Sequence, residues 1–138
     1  MIFTVGYGGR DKDDLLALLR AHGITTVVDV RLRPDRASMG IWVKAKSSDK
    51  GIESWLREAD IGYCSLVELG NVFLDFSDWK ERYQRLLDSA GALLIERLKA
   101  IPGPMCLLCA EKRAAECHRT QVAEYAATHM GAVVQHLE

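Results

Sequence analysis

Three short stretches of this 138-residue chain gather residue types that can hold an anion or move a proton. Asp29-Val30-Arg31 puts a carboxylate and a guanidinium on one face of an extended segment. Cys109-Ala110-Glu111 and Cys117-His118-Arg119 follow one another closely near the C-terminus. An arginine fork matches the paired oxygens of a phosphate or carboxylate. A histidine exchanges a proton near neutral pH, and Glu111 suits a general base. Cys117-His118-Arg119 opens a helical stretch, where free N–H groups attract an anion and favour an ionised thiol. The plain alternative is structural: Cys117 packs, Arg119 pairs with Glu111 or Asp29, and Asp29 neutralises Arg31 beside a buried strand.

Other arrangements are less telling. Gly6-Tyr7-Gly8-Gly9 resembles a dinucleotide loop, but the third glycine of that pattern is replaced by Asp11. Asp13 and Asp14 follow, and they would repel a pyrophosphate. The run reads better as a tight turn that brings backbone close to a neighbour. Cys106-Leu107-Leu108-Cys109 has zinc-knuckle spacing, with Cys117 and His118 as further ligands. Residues three apart on a strand face opposite sides, so Cys106 is expected in the core and no metal or other cofactor is expected. The loop after Cys109 has Ala115 where a phosphatase or rhodanese loop needs arginine.

The elements that must carry these residues alternate. Ile2–Val5 reads as a strand, and Asp11 caps a helix marked by Leu15, Leu18, Leu19 and His22. Thr25–Val30 is nearly continuously apolar, as a buried parallel strand should be. Ile52–Asp60 reads as a helix and Gly62–Leu66 as a strand, with a turn at Glu68-Leu69-Gly70-Asn71. Ser77–Ala100 reads as two helices or one weakened at Gly91. Met105–Cys109 is a strand, Cys117–Met130 a helix and Ala132–His136 a strand. The expected fold is a single α/β domain over residues 1–138, Rossmann-like and three-layered, with a mostly parallel sheet flanked by helices. In such sheets ligands sit beyond the carboxyl ends of the strands. Those ends carry Gly6 and Tyr7, Asp29 and Arg31, Glu68-Leu69-Gly70-Asn71, and Cys109 and Glu111.

Composition agrees with an ordinary globular protein: 49% hydrophobic, 27% charged, net charge −1. Nothing in it suggests a membrane span, and the N-terminal residues lack the pattern of an export signal. A cytoplasmic protein with four reduced cysteines is the expectation. Residues 31–50 carry six cations against Asp35 and Asp49. Trp42 lies among them, so the segment could track a nucleic-acid strand and stack a base. Its plain reading is a solvated loop with Trp42 tucked into the domain.

Taken together, Thr4-Val5-Gly6-Tyr7-Gly8, Asp29-Val30-Arg31-Leu32-Arg33-Pro34, Glu68-Leu69-Gly70-Asn71, Leu108-Cys109-Ala110-Glu111 and Cys117-His118-Arg119 resemble the DUF488 family. That is a mainly prokaryotic domain of unknown function, and the resemblance runs from Ile2 to His136. It implies a single α/β domain whose site uses Gly6, Tyr7, Asp29, Arg31, Cys109, Glu111, Cys117, His118 and Arg119. Many relatives have serine two residues after the motif's proline, where this chain has Arg36. The family name carries no reaction.

Three functions compete. One is an enzyme on a small anionic substrate, a nucleotide or a nucleic acid. Arg31 and Arg119 hold the anion with Asp29, Gly6 and Tyr7, and His118, Glu111, Cys117 and Cys109 supply the chemistry. Another is a non-catalytic nucleic-acid-binding or regulatory module that uses residues 31–50. The third is a thiol or metal site at Cys109, Cys117 and His118.

Overall fold

The computed structural model describes residues 1–138. Five strands form one sheet: β1 (Ile2–Gly6), β2 (Thr26–Asp29), β3 (Gly62–Ser65), β4 (Met105–Cys109) and β5 (Val134–Leu137). Their order is β3-β2-β4-β1-β5, and every pairing is parallel rather than only most of them. Five helices flank it: α1 (Lys12–Ala21), α2 (Gly51–Glu58), α3 (Trp79–Leu94), α4 (Glu96–Lys99) and α5 (Arg119–Met130). No helix is long and apolar enough to cross a membrane.

The sheet is buried on both faces, which explains why β2 and β4 read as unbroken apolar runs. On one face Ile2, Val28, Met105, Leu107 and Cys109 pack with Tyr83 and Leu87 of α3 and the small side chains Ala123 and Ala126 of α5. On the other, Phe3, Val5, Val27, Cys106 and Leu108 pack with Leu15 and Leu19 of α1 and with Ile52, Trp55 and Leu56 of α2. Cys106 and Cys109 thus point to opposite faces. Asp11 and Asp14 form a reciprocal capping box at α1, satisfying two orphan donors.

The stretch over residues 77–100 does form two helices, but α3 runs unbroken through Gly91. A β-carbon there would strike the Tyr125 ring, so the residue lets α3 and α5 approach closely, and the helix runs on to Leu94. The break expected at Gly91 comes at Ile95 instead.

The connections after β1 and β2 lead to helices on one face, and the connection after β4 leads to α5 on the other. Neighbouring loops therefore part above the carboxyl ends of β1, β4 and β2, and a crevice opens between them.

Candidate functional site

A cavity of about 220 Å³ fills that crevice. Tyr7 after β1, Arg31 after β2, Cys109 and Glu111 after β4, and Cys117 and His118 before α5 all line it. Gly6, Asp29 and Arg119 stand behind its wall.

Gly6 and Gly8 decide how close the walls come. Tyr7 N donates to the Cys109 carbonyl and Gly8 N to the Ala110 carbonyl, both at 3.0 Å, so the β1–β4 ladder continues past the sheet edge. A β-carbon on Gly6 would overlap the Glu111 carbonyl oxygen. The glycine run is thus a backbone contact, and no phosphate cradle is needed to account for it.

Asp29 and Arg31 are both buried. Arg31 Nε and Nη2 donate to Asp29 Oδ1 and Oδ2 at 2.9 and 2.6 Å, and the Arg31 backbone N–H adds a third bond at 3.1 Å. Tyr63 Oη donates to Asp29 Oδ2 at 2.5 Å. Burial alone would lower the Arg31 pKa, but the Asp29 hydrogen bonds and charge outweigh it and raise it. Burial first, then the Asp29 charge, holds the Tyr63 phenol protonated well above its ordinary range. Arg31 Nη1 donates to Tyr7 Oη at 3.2 Å, and Tyr7 stacks on Trp42 at 4.5 Å between ring centroids. Trp42 is itself 2% exposed and meets Trp55 edge-on. It therefore shows no face to a nucleic-acid base.

Arg119 takes neither role expected of it. Fully buried, it reaches no carboxylate and does not line the cavity. Its Nη1 donates to the Glu111 carbonyl at 2.6 Å and to the Cys109 sulfur at 3.1 Å. Nη2 and Nε bond the Lys112 carbonyl and Thr4 Oγ1, each at 3.3 Å. The guanidinium pins the loop after β4 to β1. The Glu111 side chain is left exposed at the cavity, without an ion-pair partner.

His118 Nε2 lies 2.9 Å from the Val30 carbonyl. A carbonyl only accepts, so Nε2 carries the proton and Nδ1 keeps its lone pair. That lone pair faces the Cys117 sulfur at 3.7 Å. Burial lowers the His118 pKa to about 4, so the ring is neutral at neutral pH. The first N–H of α5, from Arg119, donates to the same sulfur at 3.4 Å.

The sequence reading expects four reduced thiols. Cys64 and Cys106 are free, but the Cys109 and Cys117 sulfurs are in direct bonding contact. The cause is topological: β4 ends and α5 begins at the same sheet edge, and the connecting loop folds back between them. No cluster of three or more His, Cys, Asp or Glu side chains has metal-holding geometry.

Three contributors escaped the sequence reading. Arg33 and Arg36 line the cavity, exposed and free of ion pairs, and were counted only as part of a basic run. Asn71, read as a turn residue, lines it too and is 2% exposed. Position just after a parallel strand marks the segment holding Asn71, and the same signal extends along the loop after β2 to Arg33 and Arg36.

A family model described as Domain of unknown function DUF488 matches residues 11–126. No curated protein and no solved structure matches the chain.

Proposed function

Because the chain belongs to the DUF488 family, a domain without an assigned reaction, its chemistry must be argued from the crevice, and we propose that it is an enzyme acting on a small anionic substrate there. The observation that supports this most is the cavity lining: three arginines, Arg31, Arg33 and Arg36, against the single carboxylate Glu111. Arg31 is neutralised by Asp29, so Arg33 and Arg36 are the cations left for a ligand. His118, a neutral ring, turns its Nδ1 lone pair toward the Cys117 sulfur, and Glu111 is the proton-handling group at the cavity mouth. Gly6, Asp29 and Arg119 shape the site without touching substrate.

Inorganic phosphate titrated by calorimetry tests the reading. The parent chain is expected to bind saturably at low ionic strength. Arg33→Glu with Arg36→Glu is expected to weaken binding more than tenfold, with unfolding free energy changed by no more than ~0.5 kcal/mol. Equal affinity in parent and variant would contradict the proposal.

A second reading rests on the sulfur contact. Cys109 and Cys117 line the cavity together, one held by Arg119 and the other facing His118, which suits thiol chemistry on the bound substrate. A reducing, cytoplasmic setting would keep the pair available as thiols. Nucleic-acid binding by residues 31–50 has weaker support. A more open hollow of about 690 Å³ beside the crevice carries Arg33, Lys44 and Lys46, but the buried Trp42 supplies no stacking.

A further inference from the structure

We propose that Asn71 binds an oxygen of the substrate's anionic group through its side-chain Nδ2; the inference rests on the crevice being an oxyanion site. Asn71 lines the cavity with Arg31 and His118 and is 2% exposed. Its Oδ1 accepts from the Phe73 backbone N–H at 3.0 Å. That N–H only donates, so the amide orientation is fixed and Nδ2 is the free end. Nδ2 is buried and has no hydrogen-bond partner. A buried donor left unpaired is costly, and nearly all such groups in folded proteins find an acceptor.

A close backbone approach sets where Asn71 sits. Gly70 leaves no room for a β-carbon against Leu32, so the turn after β3 presses onto the loop after β2. Asn71 enters the crevice from that contact. The same loop brings Arg33 and Arg36 to the cavity.

An amide N–H can meet only an acceptor, and two unpaired arginines nearby favour one with negative charge. The ligand group is therefore a phosphate or carboxylate oxygen. At about 220 Å³ the cavity admits such a group, or the anionic end of a larger molecule, and not a folded polymer.

The test titrates inorganic phosphate and, separately, acetate into the isotope-labelled full chain and follows the side-chain amide protons of Asn71. Asn71→Ser is the companion variant: serine keeps an oxygen for the Phe73 N–H and removes Nδ2 without adding charge. The Asn71 amide protons are expected to shift with saturation, and the variant to bind roughly ten- to hundredfold more weakly. The stronger of the two probes identifies the anion class. Saturable binding that leaves the Asn71 amide protons unmoved overturns this assignment and leaves the crevice reading intact. No saturable binding of either anion by the parent chain overturns both. The amide readout needs no variant, so it decides the matter even if Asn71→Ser does not fold.

Discussion

Arg31 and Asp29 form a closed pair at the end of β2: two side-chain bonds of 2.9 and 2.6 Å, a main-chain bond of 3.1 Å, and 8% and 0% of their surface exposed. Such a pair has little attraction left for a ligand. Its larger consequence is for the fold, because removing one partner strands the other charge. Asp29→Asn is expected to cost ~3–5 kcal/mol of unfolding free energy in urea titrations. A loss below ~1 kcal/mol would show that Arg31 has another partner or reaches water.

His118 makes stability depend on pH in a defined window. Its folded pKa is about 4, against 6.5 for an ordinary histidine. The unfolded chain takes up a proton below 6.5 that the folded chain refuses until about 4. The neutral ring's contribution is complete above that window and declines as pH falls through it, by on the order of 3 kcal/mol. Urea midpoints measured across the window should fall, and His118→Gln should flatten that part of the profile. An equally steep profile in the variant would assign the effect to other groups.

Two glycines should respond differently to the same substitution. Gly6→Ala drives a methyl group into the Glu111 carbonyl and toward the Arg119 fork, while Gly40→Ala meets nothing within 4 Å. The first is expected to cost ~1–3 kcal/mol or more, and the second to stay within ~0.5 kcal/mol. Comparable thermal midpoints for both would mean that the β1 and β4 loops are not pressed together.

The sulfur contact predicts selective oxidation. After the chain is reduced, diamide should remove two hydrogens from it and relink Cys109 to Cys117, sparing Cys64 and Cys106 in peptide maps. Cys106 is fully buried, and burial raises its pKa far above the ordinary thiol range, so it is a poor nucleophile. Adducts spread over Cys64 or Cys106, with Cys109 and Cys117 unlinked, would count against any redox role for the pair.

Local pattern carried much of the fold. Met105–Cys109 is apolar throughout because the strand is covered on both faces, and its spacing already separated Cys106 from Cys109. The glycine run after β1 and the tucked Trp42 also follow from short-range arguments. Gly91 was misread because its reason lies in Tyr125, on another helix. The Arg119 contacts with Thr4, Cys109 and two backbone carbonyls depend on three separate segments meeting, which residue type cannot reveal. Arg31, by contrast, found its partner two residues away, where spacing could show it. Asn71 escaped because its importance lies in a missing partner, visible only once the crevice exists.

The most direct test of the central claim is a map of backbone amide shifts as inorganic phosphate is titrated into the chain at low ionic strength. The crevice account predicts saturable shifts concentrated at Tyr7, Arg31 to Ala37, Asn71, Cys109 to Glu111 and His118, the segments that line one cavity. Shifts confined to Lys44 and Lys46, or none that saturate, would contradict it.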